Sequence, residues 1–291
     1  MSNLSVTHLP ARAALEGRKY RYDHPRLYPD IVNDMFVTAR DLGPGSSVAP
    51  FNLPTLDGGS FRSSELAAAG KPVLVVFGSR TCPVTESAAP GLKRLHSVHG
   101  DDVRFVMVNV REAHPGGTIV QPQTFEQKRR HAEGLKSHHQ LPFEVAVDDI
   151  DGTFHRALGA RPNSAYLISP AGKIVFRAQW ANETEDIERA IVAAVAGKVP
   201  AKPAVTRTMH SMTRMIGYIS PVLRTAGKGA RLDTWSVVPP LGALMAIADF
   251  FFFLPHNRRG LPAMLLMMGL MVGLGAAAFT FGPSLLAQPT L

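Results

Sequence analysis

The chain has 291 residues, 45% of them hydrophobic and 8% aromatic, enough to bury one sizeable core with residues left over. Its one cysteine, Cys82, excludes an intramolecular disulfide, and the N-terminal stretch lacks the charged-then-apolar layout of a secretory signal; both favour a reducing, cytoplasmic setting for the part holding Cys82. The formal charge of +8 is concentrated between residues 199 and 234, where six Lys or Arg face one acid, so it forms a local band and argues against a nucleic-acid partner.

Residues 1–45 carry no assignable motif and read as an N-terminal extension that wraps the domain or engages a partner. From residue 46 an alternating pattern begins. Asp57-Gly58-Gly59 marks a hairpin turn and Ser63-Ser-Glu-Leu66 a helical turn. Val73 to Phe77 is a continuous apolar run, the pattern of a central strand buried on both faces. Pro83 sits at a first helical position, opening a helix through Leu92, Leu95 and Val98. A second buried strand (Val103 to Val110), a polar basic helix (Gln123 to His139), a third strand (Phe143 to Val147) and a short helix (Asp151 to Leu158) follow. A hairpin (Tyr166 to Ser169 with Lys173 to Ala178) and a closing helix (Thr184 to Val195) complete an α/β sandwich spanning 46–198.

Residues 199–234 read as a basic linker ahead of the most apolar part of the chain. Val237 to Leu254 would span roughly 27 Å as a helix, against a hydrocarbon core of about 30 Å. Ala263 to Gly282 carries no charge, and the polar hinge Pro255-His-Asn-Arg-Arg-Gly260 separates the two, so residues 235–288 are expected to form a transmembrane helical hairpin. Asp249 lies close enough to Leu254 to reach the interface, and Gly269 with Gly273 forms a GxxxG. The basic band places the N-terminal domain on the cytoplasmic side.

Cys82 falls where a buried strand turns into a helix. Free backbone N–H groups and the macrodipole at that terminus stabilise negative charge, which lowers a thiol pKa and favours the nucleophilic thiolate. Thr85 occupies the place of a second cysteine in Cys-x-x-Cys, so regeneration needs an external thiol or a thioredoxin-type partner protein, and no bound cofactor is expected. The hydroxyls of Thr81 and Thr85 are candidates to hydrogen-bond the sulfur or to cap the helix.

Three segments, PGSSVAPFNLP from Pro44, KPVLVVFGSRTCP from Lys71 and AYLISPAGKIV from Ala165, are together similar to thioredoxin-like redoxins, a group that includes peroxiredoxins. Phe77-Gly-Ser-Arg-Thr-Cys-Pro83 followed by Val108-Asn-Val-Arg-Glu-Ala-His-Pro115 more specifically resembles the iodothyronine deiodinase family. The resemblance covers about residues 45–180 and implies a thioredoxin-like α/β sandwich. It implies Cys82 in the position of the catalytic selenocysteine, Ser79 and Thr81 as flanking polar residues, and Glu112 and His114 as the acid and the histidine. His114 would then move a proton while Glu112 orients it or supplies charge. Pro162 lies near the place of the cis-proline of this fold, an ordinary turn proline being the alternative. The sequence departs from the family at Gln121-Pro122-Gln123, which lacks a histidine, and at Ser164, which replaces an arginine. Both family residues surround the aromatic substrate, which argues against thyroid hormone. His96, His99, His138 and His139 read as solvated histidines and not as metal ligands, and Gln127 to His131 as a solvated helix face.

The expected activity is that of a membrane-anchored thiol oxidoreductase acting on a halogenated or oxidised small molecule. A one-cysteine peroxidase is the first alternative, although the Pro-x-x-x-Thr-x-x-Cys pattern is broken at Ser79. A non-catalytic thioredoxin-like binding module tethered to a membrane complex is the second.

Overall fold

The Asp57-Gly58-Gly59 turn closes an antiparallel hairpin between Asn52–Pro54 (β1) and Ser60–Arg62 (β2), and Gly58 supplies a φ of +88° that an L side chain resists. The computed structural model describes residues 20–21, 36–38, 41–161 and 163–285, the last eleven of these by backbone alone. After a short helix, Leu66–Ala69 (α1), the chain enters Val73–Gly78 (β3). Then come Pro83–His99 (α2), Arg104–Asn109 (β4), Phe125–His139 (α3), Glu144–Val147 (β5), Thr153–Ala157 (α4), Ala165–Ile168 (β6), Ile174–Ala178 (β7) and Thr184–Val195 (α5).

These elements build the expected sandwich. The sheet order is β5-β4-β3-β6-β7, with β3, β4 and β5 parallel and β6 and β7 antiparallel to their neighbours. Alternation along β3 divides the core: Leu74 and Val76 face Leu92, Leu95, Leu135 and Ile187 of the helices, while Val73, Val75 and Phe77 face Phe61, Phe154 and Tyr166. Because β3 and β4 run parallel in register, from Val73 opposite Arg104 to Gly78 opposite Asn109, the loops after them leave the same edge of the sheet. Of the N-terminal extension, Tyr20 is buried and shares a 3.0 Å hydrogen bond with His155 Nδ1.

The rest of the chain differs from expectation. Residues 199–234 are not a linker: Ala204–Val205 (β8) pairs in parallel with β7 and extends the sheet to six strands, and Thr208–Ala226 (α6) and Ala230–Val237 (α7) follow. Arg207 and Arg214 of the basic band dock α6 against the start of α5. Arg214 makes a bidentate pair with Glu185 at 2.7 and 2.8 Å, Arg207 lies 3.4 Å from Asp186, and His210 Nδ1 lies 2.9 Å from Glu183. Glu183 and Asp186 are buried, so these contacts also supply partners to acids that would otherwise be enclosed without one, and an apolar contact adds to them. Met215, Ile216, Ile219 and Leu223 of α6 pack with Leu244, Met245 and Ala248 of Pro239–Phe250 (α8) and with Ala263.

The expected first membrane span therefore holds a helix of only 12 residues, about 18 Å long, with one side buried on α6. Asp249 does not reach toward an interface: Ser220 Oγ donates to it at 2.7 Å and in turn accepts from Arg224 at 2.9 Å. The second stretch lies in Gly260–Leu285 (α9). Among the described residues no helix is long and apolar enough to cross a membrane. A four-helix layer built from α6 to α9 thus replaces a linker and a separate hairpin.

That layer depends on close backbone approach. A Cβ at Gly217 would run into the carbonyl of His256, whereas one at Gly134, exposed in the middle of α3, would meet nothing. Gly217→Ala is expected to destabilise the chain by about 1–3 kcal/mol in denaturant unfolding. Gly134→Ala is expected to stabilise it by up to about 1 kcal/mol.

Candidate active site

Cys82 occupies the N-cap of α2 with extended backbone angles, and Pro83 takes the first helical position, where its missing N–H costs nothing. The loop from Ser79 to Cys82 is stitched to the loop after β4 by three side chains. Ser79 Oγ accepts from the Ala113 N–H at 3.2 Å. The backbone N–H and hydroxyl of Thr81 both donate to Glu112 Oε2, at 2.9 and 2.7 Å, and Thr81 Oγ1 accepts from the His114 N–H at 3.1 Å. Glu112, fully buried, receives its other oxygen's partner from α3: His131 Nδ1 donates to Oε1 at 2.8 Å. Gln121 holds the Glu112 main chain from both sides, at 2.8 and 3.1 Å.

Of the expected residues, the structure brings Ser79, Thr81, Cys82, Thr85, Glu112 and His114 together at one sheet edge, while Pro162 lies outside the described residues. Two pairings differ from expectation. Glu112 bonds Thr81 and His131 and makes no bond to the His114 side chain, so it fixes the loops and does not orient that imidazole. Of the two threonines, Thr85 lowers the thiol pKa while its hydroxyl accepts from the Ser79 N–H at 3.3 Å and from Asn163 Nδ2 at 2.7 Å, and Thr81 is engaged by Glu112. His131 was missed by reading residues 127–131 as a solvated face. The helical spacing of the buried Lys128, Ala132, Leu135 and His139 is the signal that this side of α3 points inward.

Cys82 is 4% exposed, and Cys82 and His114 line one cavity of about 390 Å³. Trp180 contributes to the same wall, and the opposite side comes from the C-terminal layer, through Met212, Met215 and Ile219 of α6 and Leu241 and Leu244 of α8. Asp233 and Thr234 of α7 also line it, and burial raises the Asp233 pKa, but the surface that the lining exposes is overwhelmingly apolar. The loop carrying His114 is bound to the end of α6, where Ala226 O accepts from the N–H groups of Thr118 and Ile119 at 2.9 and 3.0 Å.

This cover reverses the expected electrostatics of the thiol. Burial raises the Cys82 pKa. The Thr85 N–H, the Thr85 hydroxyl and the Val84 N–H, all in the first turn of α2, act in the opposite direction without overcoming it, and the Glu112 charge adds to the rise. The helix terminus is present as expected; the enclosing helices outweigh it. Burial also pushes His114 down to about 4, so at neutral pH the cavity holds an uncharged thiol and an uncharged imidazole.

The AhpC/TSA family model matches residues 44–177, a little under half of the chain. With its sheet order and its cysteine at the β3–α2 turn, this stretch has a thioredoxin-like α/β fold. A curated relative, type II iodothyronine deiodinase of Fundulus heteroclitus, is 28% identical over 128 residues, covering 39% of this chain and 48% of its own, so the chain spans about half the length of the relative it matches. Among solved structures, an uncharacterized conserved protein of Geobacillus kaustophilus aligns at 19% identity and a TM-score of 0.44, covering 58% of this chain and 94% of its own. A thioredoxin-family thiol:disulfide interchange protein of Chlorobium tepidum aligns at 17% identity and a TM-score of 0.41, covering 55% and 99%.

The thiol carries a sign that can be checked. With the folded pKa above the unfolded value, the neutral thiol adds stability that is full below the ordinary cysteine value of about 8.5 and is lost as pH rises through the folded value. Thiolate absorbance followed against pH, with Cys82→Ser as the blank, is expected to give a midpoint above that ordinary value. Thr85→Val, which removes a hydroxyl that lowers the thiol pKa, is expected to raise it further.

Proposed function

We propose that the chain is a membrane-associated thiol oxidoreductase of deiodinase-like type that acts on an apolar halogenated or oxidised small molecule. The observation that carries the reading is the shared cavity, in which the one thiol of the chain and an uncharged imidazole face a space with almost no polar lining. In such a cavity a charged thiolate standing free is costly, so the proton is best moved in concert with attack.

Cys82 passes its proton to His114 as its sulfur attacks the halogen. The carbon–halogen bond breaks with its electron pair staying on carbon, the sulfur–halogen bond forms, and the imidazolium returns the proton to carbon. One external thiol then displaces the halide as its acid and leaves a mixed disulfide, and a second thiol, or a thioredoxin-type partner, frees Cys82. With a hydroperoxide in place of the halide, sulfur takes the terminal oxygen, the alkoxide takes the proton, and two thiols reduce the sulfenic acid with release of water. This peroxidase reading is favoured by the AhpC/TSA match over residues 44–177.

The full chain, supplied with a dithiol, is to be offered an iodinated phenol and an aromatic hydroperoxide in separate assays. Iodide release that is abolished in Cys82→Ser and reduced about 10²–10⁴-fold in His114→Ala is the expected result. Peroxide consumption without iodide release would move the activity to the peroxidase. Inertness toward both would leave a binding module.

We also assign the C-terminal layer to a membrane surface, with the redoxin domain on the cytoplasmic side. Support comes from Phe250, Phe252 and Phe253, each at least 66% exposed, continuing into exposed Leu261 and Leu265 of α9 beside Arg258 and Arg259. The free thiol supports a reducing compartment. The full chain is expected to float with vesicles of phosphatidylcholine and phosphatidylglycerol, and the triple change Phe250→Ser, Phe252→Ser and Phe253→Ser to float several-fold less. Equal flotation of the two would overturn the assignment.

A further inference from the structure

A second cluster of reactive side chains lies outside the cavity, where the end of α3 meets the first turn of α2. His138 Nε2 lies 3.0 Å from both carboxylate oxygens of Glu86, and His139 Nε2 lies 3.8 Å from Oε2 of the same group. One ligand atom from each of the three residues can be chosen so that all lie within 4.8 Å of one another. The two rings meet edge to face, their centroids 4.6 Å apart.

The sequence reading placed both histidines in solvent. His138 is 37% exposed, but the His139 side chain is 5% exposed and its Nε2 has no hydrogen-bond partner. A buried, unpaired imidazole nitrogen is unusual, since such a group ordinarily finds a donor or an acceptor. Here neither tautomer resolves the contact. A protonated Nε2 is too far from Glu86 for a hydrogen bond, and an unprotonated one points a lone pair toward a carboxylate. A cation placed between the two nitrogens and the carboxylate satisfies every group at once.

We propose that Glu86, His138 and His139 form a binding site for a divalent transition cation, zinc foremost. Two imidazoles and one carboxylate are a borderline donor set, which suits zinc better than calcium or magnesium, both of which require oxygen ligands. The three ligands leave a coordination position open on the exposed His138 side. Glu86 stands one turn after Cys82, its N–H bonded to the Cys82 carbonyl at 3.1 Å. A bound ion therefore clamps α3 to the turn of helix that carries the thiol, and the site stands independently of what the thiol attacks.

The test uses the full chain stripped by a chelator and titrated with zinc chloride in a calorimeter. One saturable site per chain is expected, weakened tenfold or more in His139→Ala and in Glu86→Gln and retained in His96→Ala. Because His139 is buried, His138→Ala removes a ligand at an exposed position and must give the same loss; circular dichroism of the stripped variants confirms that each is folded. Cobalt(II) in place of zinc should give the visible bands of a nitrogen and oxygen ligand set. The proposal is overturned by the absence of saturable binding, by equal affinity in His138→Ala and the wild type, or by a thiolate-to-cobalt band that disappears in Cys82→Ser.

Discussion

A single buried carboxylate organises the reactive edge of the sheet. Glu112 is fully enclosed, and a carboxylate in that position is tolerated only when its oxygens are supplied with donors. Those donors come from different parts of the chain: Thr81 of the loop before α2 gives two, and His131 of α3 gives the third. Satisfying one group thus holds the thiol loop, the histidine loop and a helix in a fixed relation, and the Gln121 bonds to the Glu112 main chain prevent the second loop from sliding. The acid expected to assist His114 instead ties the loops and the helix together.

The C-terminal layer then determines what the positioned thiol can do. On an open domain, a cysteine at a helix N-terminus beside a threonine would ionise readily. Covered by α6 to α8, the same cysteine is held neutral, and so is the histidine that shares its cavity. An uncharged thiol and an uncharged imidazole are the forms that an apolar enclosure tolerates, because neither sets a bare charge against it. The low-dielectric wall that makes the thiolate scarce also strengthens any charge that develops during the reaction.

Much of this was legible in the residues. The run from Val73 to Phe77 requires a doubly covered strand, Pro83 requires a helix start, and the parallel pairing of β3 with β4 puts Glu112 and His114 beside Cys82. What escaped notice were contacts between segments whose local composition points elsewhere. The basic charges of residues 199–234 suggest solvent or lipid headgroups when counted along the chain, yet Arg207 and Arg214 answer Asp186 and Glu185 of α5. Hydropathy along residues 237–254 records apolar length alone. It is blind to the apolar face that α6 offers, although Met215, Ile216, Ile219 and Leu223 stand at helical spacing. His131 and His139 share one cause of error: a helix with a polar average conceals the inward side of its own surface.

The boundary of the family match has a physical meaning. Residues 44–177 contain the thiol, the carboxylate, both loops and the sheet that holds them, whereas Trp180 and the helices from residue 208 onward supply most of the cavity wall. The thiol and most of the wall that faces it therefore come from different parts of the chain. The departures at Gln121 to Gln123 and at Ser164 fit this division: Gln121 is committed to the Glu112 main chain, and Ser164 is fully buried. Polar groups that would address a substrate from within the matched stretch are thus turned to structure. The wall opposite is built mainly from apolar side chains of α6 and α8, and a wall of that kind discriminates by size and apolar surface more than by hydrogen-bonding pattern.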